Sequence, residues 1–211
     1  MVNGSQCTIV FYADDNKISH KDPRLVTQVL NSISEHFWEL IVSRGNTRDF
    51  LGMNITIKDQ KVYIEMKDQI HKAIEWGKSQ GGCKLPNPAK SDLFEVDEPS
   101  IPLSEKDSDV FYSVVQKLLY ICKRTRPGIE TAISFLCTRV SGPTHEDEVK
   151  LTRVLGYLEH TIDLVRTMGA SSLSVLSTWV DASYAVHRDM RSHTGSLMSF
   201  GTGTIHCKSS K

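Results

Sequence analysis

The clearest boundary between apolar and polar positions lies near the start of the chain. Residues Cys7 to Tyr12 are apolar, β-branched or aromatic, a composition typical of a buried strand. Two adjacent acids, Asp14 and Asp15, follow this run, and unpaired carboxylates are not expected to continue into a core. The pattern predicts a hairpin with both acids at its turn, in which Phe11 is buried and the Asp15 carboxylate is exposed.

Helical spacing of apolar residues begins after this hairpin. Asp22 and Pro23 are typical of a helix start, and the residues after them predict a helix over residues 23–37, packed on the same sheet. A shorter helix with the same spacing is predicted around residues 70–74, ending near Gly77.

Strict alternation of apolar and polar residues lies between these two helices. It runs from Leu51 to Met66 and is interrupted by the polar stretch 58–61, which predicts a second hairpin over residues 50–66 with one buried face. Residues 79–107 are rich in proline, glycine, serine and acids, and this composition is typical of a linker.

The pattern after the linker predicts a three-helix segment over residues 108–160. Ser108 is the expected cap of the first helix, Pro127 opens the second, and Gly142–Pro143 ends it. The run Thr144–Asp147 resembles a capping box, with Asp in place of the usual Glu, and introduces the third helix.

Short strands are predicted near the end of the chain, over residues 173–180, 195–200 and 204–208. Helices and strands are therefore mixed without a regular repeat, and the expected fold class is α+β.

Composition narrows the functional classes. The 211 residues contain 25 Lys+Arg and 25 Asp+Glu, so nucleic-acid binding would have to come from local basic patches. No apolar run is long enough to predict a membrane span. The five cysteines are scattered without a CxxC pair, which argues against a zinc site or disulfide framework and favours an intracellular, reducing compartment.

Two clusters carry candidate chemistry. Carboxylates such as those of Asp14 and Asp15 suit Mg²⁺, and two such ions can support phosphoryl transfer. Taken alone, the pair is more simply interpreted as an ordinary turn that closes a hairpin. The basic run of Lys123, Arg124 and Arg126 could contact a phosphate backbone, or could be a solvated helix end whose cations favour the helix dipole.

Five short motifs occur in an order that resembles the reverse transcriptase of Ty1/copia-type retrotransposons, running from the middle of the palm into ribonuclease H. They are Phe11–Asp15, Phe50–Ile55, Cys83–Pro86, Phe111 through Ile129 (with Thr125-Arg126-Pro127-Gly128-Ile129 at its end), and Trp179–Ser183 followed by Arg191–Gly195.

The resemblance implies an architecture truncated at both ends. Residues 1–78 would be the C-terminal part of the palm, with its hairpin and helix, the primer-grip hairpin and the start of the thumb. Residues 79–107 would be a linker, residues 108–170 a helical thumb or connection segment, and residues 171–211 the first strands of an incomplete ribonuclease H-like sheet.

The resemblance also assigns site residues. Asp14, Asp15 and Asp181 match catalytic, Mg²⁺-binding aspartates. Tyr12, the primer-grip residues and the basic run would contact nucleic acid. The primer-grip residues are Phe50, Leu51, Gly52 and Met53, and the basic run is Lys123, Arg124 and Arg126.

The implied function is a fragment of a retrotransposon polyprotein, an RNA-directed DNA polymerase with ribonuclease H. Each active site needs acids beyond those present, so we expect this chain alone to be inactive. Expected partners are an RNA/DNA primer–template duplex and the rest of the polyprotein, without a membrane, in a cytoplasmic virus-like particle or the nucleus. The alternative is a non-catalytic remnant, or a domesticated module that binds nucleic acid or protein.

Overall fold

The fold is mixed α and β, as the sequence predicted. The computed structural model describes residues 4–13, 15–37, 40–79, 83–96 and 99–211, and these form five α-helices and ten β-strands. The chain divides into two compact units, Met1–Thr56 and Ile57–Lys211. No helix in the described part of the chain is long and apolar enough to cross a membrane.

The first unit begins with an antiparallel hairpin of β1 (Thr8–Tyr12) and β2 (Asp15–Ser19). Helix α1 (Pro23–Ser34) follows and ends three residues earlier than predicted. Its N-cap is Asp22, whose carboxylate accepts the Arg24 amide at 2.9 Å, as the Asp-Pro pair indicated.

The prediction that β1 is buried is wrong. Every residue of β1 is exposed, and the Phe11 side chain is 69% exposed. Strand β1 belongs to a two-stranded sheet with β2, and two strands alone bury little apolar surface. The Asp15 side chain is exposed, as predicted.

A second tight hairpin follows in the same unit. Strand β3 (Thr47–Phe50) pairs antiparallel with β4 (Met53–Lys58) through the turn residues Leu51 and Gly52. The alternation had placed Leu51 in a strand, but its φ of 53° puts it in the turn. The connection of β4 to β5 (Lys61–Glu65) is also tight, because Asp59 and Gln60 both adopt left-handed backbone conformations.

The second unit holds most of the hydrophobic core. Its helices are α2 (Lys67–Ser79), α3 (Glu105–Arg124), α4 (Glu130–Cys137) and α5 (His145–His160), with a short 3₁₀ turn at Pro127–Ile129. The largest fully buried side chains lie mainly on α3, α4 and α5, and include Phe111, Leu118, Ile133, Leu151 and Leu158. Burial of such side chains contributes on the order of 2 kcal/mol each.

Two helix starts and one helix end test the capping predictions. The cap of α3 is Ser104, not Ser108, because the Ser104 hydroxyl accepts the Asp107 amide at 3.2 Å. The capping box at the start of α5 is confirmed, with Thr144 and Asp147 accepting each other's backbone amides. Helix α4 ends at Cys137, before the predicted stop at Gly142–Pro143, and Thr138 caps it.

Five strands follow the helices in the chain. They are β6 (Arg166–Ala170), β7 (Ser177–Ser183), β8 (His193–Ser199), β9 (Gly201–Thr202) and β10 (His206–Ser210). An antiparallel sheet has the order β10-β8-β7, while β5 pairs with β6 and β6 with β9. Strand β6 was not predicted, and β7 begins four residues later than the strand predicted from residue 173.

Candidate functional site

Asp15, one of the two adjacent predicted acids, lies at the tip of the β1–β2 hairpin. Tyr12 and Asp15 are directly paired, and Ala13 has a left-handed φ of 49°. Two residues therefore separate the paired positions, which is the commonest length for a hairpin loop. Asp14, the other predicted catalytic and metal-binding residue here, lies outside the described residues. The Tyr12 side chain is 56% exposed, so it is accessible to a ligand at the tip.

The predicted primer-grip residues form the other hairpin tip of the first unit. Phe50 pairs with Met53, while Leu51 and Gly52 have φ values of 53° and 69°. Glycine adopts this conformation freely, but for Leu51 it costs conformational energy. The four residues thus form one compact turn, and Leu51 is held in it by the pairing of its neighbours.

Among the three residues of the basic run, only Arg126 is fully buried. The Lys123 ammonium forms an ion pair with the carboxylate of Glu130, which is 4% exposed. The Arg124 guanidinium stacks on the Tyr120 ring, 3.5 Å from its centroid. Arg126 is 2% exposed, so little of its side chain is accessible to a phosphate backbone. Its contact with nucleic acid stays a prediction.

Arg126 and Arg166 each cap the end of a helix that is distant from them in sequence. Arg126, just after α3, donates to the carbonyl oxygen of Thr161 at the end of α5, at 2.9 Å, and to its hydroxyl. Arg166, the first residue of β6, donates at 2.6 Å to the carbonyl oxygen of Arg124 at the end of α3. Cations at these ends oppose the partial negative charge of the helix dipole. Burial lowers the pKa of both guanidinium groups.

A cavity of about 230 Å³ adjoins these two arginines. Its lining also includes Gly128, Tyr157 and Gly203. The guanidinium groups are already engaged by helix carbonyl oxygens, so much of their hydrogen-bonding capacity is used within the protein.

The third predicted aspartate, Asp181, lies in β7 opposite Gly195 of β8. It is exposed, and its carboxylate accepts the amide of Ala182 at 2.9 Å. The backbone there is a regular strand, in which Asp181 is the fifth of seven residues.

The described acids do not complete a metal site. No group of three or more His, Cys, Asp or Glu side chains that could hold a metal ion occurs within residues 4–13, 15–37, 40–79, 83–96 and 99–211. Mg²⁺ requires near-octahedral oxygen coordination and gives up water reluctantly, so an isolated exposed carboxylate does not meet its needs. Asp15 and Asp181 alone therefore do not fit a complete Mg²⁺ site.

Sequence reasoning missed a polar network around Glu130, the first residue of α4. Its carboxylate accepts the Cys207 thiol at 2.6 Å, the Ser209 amide at 3.0 Å and the Lys123 ammonium. Burial and the neighbouring carboxylate raise the pKa of Cys207 to about 12. The network joins α3, α4 and β10, and no local pattern could reveal it because Glu130 and Ser209 are 79 residues apart.

Comparison with known proteins shows that the chain is similar to a transposon polyprotein. Over 209 residues, the chain is 24% identical to the retrovirus-related Pol polyprotein from transposon TNT 1-94 of Nicotiana tabacum. The match covers 95% of this chain and 15% of that polyprotein. No protein-family model and no solved structure matches the chain significantly. The similarity supports an origin as a fragment of a retrotransposon Pol polyprotein.

Proposed function

We propose that the chain is the part of a Ty1/copia-type Pol polyprotein that runs from the reverse transcriptase palm into the start of ribonuclease H. The observation that carries this proposal is the β1–β2 hairpin, which presents Asp15 opposite Tyr12 at an exposed two-residue turn. The match to a Pol polyprotein along 95% of the chain supports it independently of that hairpin.

In this role the chain supplies acids to two active sites that other parts of the polyprotein complete. Asp14 and Asp15 would contribute to the polymerase site and Asp181 to the ribonuclease H site. Mg²⁺ would neutralise charge on the transferred phosphoryl group in the complete enzyme. Because the described residues do not fit a complete metal site, we assign turnover to the whole polyprotein and not to this chain.

The contribution of the chain itself is to hold an RNA/DNA primer–template duplex. The exposed Tyr12 and the half-buried turn at Phe50–Met53 offer aromatic and backbone contacts, and the partly exposed side chain of Lys123 offers a cation. Balanced overall charge keeps such binding weak. Within the cell the chain would act in a virus-like particle or the nucleus, together with the rest of the polyprotein.

A chimera provides the direct test. The matching stretch of the tobacco polyprotein is replaced by this chain, and primer extension on an RNA template is measured with Mg²⁺. We expect the chimera to extend the primer, and we expect Asp14→Asn and Asp15→Asn each to abolish this extension. Asp109→Asn, an exposed acid on α3, is the matched control and should leave extension unchanged.

Two results would count against the proposal. One is extension by the chimera that survives both aspartate substitutions. The other comes from the gene that encodes the chain: stop codons or frameshifts where the upstream palm strand and downstream ribonuclease H acids are expected would favour a non-catalytic remnant.

A further inference from the structure

Two buried histidines contact each other in the second unit. His187, in the connection between β7 and β8, is 5% exposed, and His193, the first residue of β8, is 6% exposed. Nε2 of His187 lies 3.0 Å from Nδ1 of His193. Both rings also pack against Phe94, with centroid distances of 5.0 and 4.9 Å.

The contact continues through β10 into α4. Nε2 of His193 lies 2.6 Å from the hydroxyl oxygen of Ser209, which donates to the hydroxyl of Thr131 at 3.2 Å. Ser134 donates to the carbonyl oxygen of Ser209 at 2.8 Å. One hydrogen-bonded chain thus joins the sheet of β7, β8 and β10 to the exposed side of α4.

The space between the two rings accommodates a single proton. Ser209 uses its hydroxyl proton on Thr131, so Nε2–H of neutral His193 donates to Ser209 and its Nδ1 accepts Nε2–H of His187. A first added proton can still be accommodated at the other ring nitrogen of His187. A second would place two N–H groups face to face at 3.0 Å. The pair in contact therefore binds at most one proton beyond the neutral state, whereas two separate imidazoles bind two.

We propose that His187, His193 and Ser209 form a pH-sensitive clasp that holds the sheet of β7, β8 and β10 on α4 and opens as the medium becomes acidic. The clasp is independent of the proposed enzymatic role, since it requires neither nucleic acid nor a metal ion. It would control whether Asp181, carried by β7, is held in a fixed position relative to α4.

Charges on the surrounding elements modify the titration of the clasp. Burial, with a contribution from Lys211, lowers the pKa of His187, and Asp189 partly opposes this effect. Burial and the neighbouring His187 lower the pKa of His193. On the α4 side, Glu130 accepts the amide of Ser209. On α5, the ammonium of Lys150 lies over the ring of Phe135, 5.0 Å from its centroid, and Phe135 itself contacts Phe94 and His187.

The direction of the pH effect follows from these contacts. Above the ordinary histidine pKa of 6.5, neither the closed nor the open form is charged at these rings, and the clasp is at full strength. Below that pH the open form takes up two protons and the closed form at most one, so acid favours opening. In this acidic range, each proton that only the open form binds shifts the equilibrium between closed and open forms about tenfold toward the open form for each unit by which the pH falls.

Hydrogen exchange of the full 211-residue chain tests the clasp, after correction for intrinsic exchange. Between pH 7.5 and 5.5, protection of β8 and β10 amides should fall about tenfold to hundredfold relative to amides of α5. A double substitution, His187→Phe with His193→Phe, keeps aromatic contacts with Phe94 but cannot titrate, and should change less than about twofold. His206→Phe, at an exposed position on β10, should keep the wild-type profile.

Two results would overturn the inference. One is protection of β8 and β10 that stays constant relative to α5 over this pH range. The other is a pH profile that persists in the double variant. If the double variant does not fold, NMR titration of the wild-type histidine rings decides, because a pKa at or above 6.5 for both His187 and His193 in the folded chain contradicts the clasp.

Discussion

The guanidinium group of Arg126 donates a hydrogen bond at 2.9 Å to the carbonyl oxygen of Thr161, the residue that caps the end of α5. Arg126 lies two residues after the end of α3, and its side chain caps the C-terminal end of α5. Arg166 does the converse by donating to carbonyl oxygens at the end of α3. These reciprocal contacts hold the ends of α3 and α5 next to each other.

Substitution of Arg126 should therefore destabilise the fold. In Arg126→Met, the Thr161 carbonyl oxygen loses a charged donor in a buried place, and we expect a loss of about 2–4 kcal/mol in the free energy of unfolding. Arg191→Met is the control, because the Arg191 side chain is 74% exposed and its ion pair with Asp189 lies at the surface, where such pairs contribute little to stability. Urea unfolding followed by circular dichroism measures both. Equal, small losses would contradict the capping role.

Gly156 lies at a close approach of α5 to the segment around Cys83. A Cβ atom added there would lie 2.2 Å from the backbone carbonyl oxygen of Cys83, while the Gly156 carbonyl accepts the Leu85 amide at 3.1 Å. Because backbone cannot move aside as a flexible side chain can, Gly156→Ala should cost about 1–3 kcal/mol. Gly142→Ala, where no atom lies within 4 Å of the added Cβ, should stay within about 1 kcal/mol of wild type in the same urea unfolding experiment.

Thiol reactivity should follow burial. Burial raises the pKa of Cys122 to about 12, and its side chain is inaccessible, while Cys83 is exposed. At pH 8 only about one Cys122 thiol in ten thousand is ionised, and the thiolate is the reactive form. Iodoacetamide should thus label Cys83 first and leave Cys122 and Cys207 unlabelled until the chain unfolds, as peptide mass spectrometry can show. Early labelling of Cys122 would indicate that the α3 face opens readily.

Local sequence signals predicted local structure well. Thr144 and Asp147 are three residues apart, so the capping box could be predicted directly, and the hairpin at Asp15 depends on residues that are adjacent in the chain. Burial was harder to predict. The β-branched and aromatic residues of β1 favour a strand, but whether Phe11 is covered depends on layers that its own sequence does not encode.

The contacts that join distant segments could not be predicted. Arg126 appeared as one member of a basic run, and only the fold places it against Thr161, 35 residues away. His187 and His193 are six residues apart, and the contact of His193 with Ser209 depends on the pairing of β8 with β10. Periodicity identifies which residues are buried together, but it does not identify which polar groups will meet.

The purified chain should show neither polymerase nor ribonuclease H turnover with Mg²⁺. The described residues contain no group of three potential metal ligands, and one exposed carboxylate does not displace enough water from Mg²⁺. Primer extension and hybrid cleavage are measured beside an active reverse transcriptase as positive control. Extension by this chain that Asp14→Asn abolishes would show that it contains more of the active site than we infer.

Binding to an RNA/DNA duplex should be weak and sensitive to salt. The equal numbers of acidic and basic residues limit the counterions that binding releases, so we expect a dissociation constant of about 1 μM or weaker at physiological salt. Fluorescence anisotropy across a salt series measures the affinity and the slope of log affinity against log salt.

The contribution of Lys123 can be tested in the same experiment. If Lys123 contacts phosphate, Lys123→Gln should reduce that slope by about 1. Lys106→Gln, at an exposed position near the start of the same helix, should leave the slope unchanged. Tight binding that barely changes with salt would instead favour a dedicated binding module, because contacts that release few counterions must be hydrogen bonds or stacking to the bases.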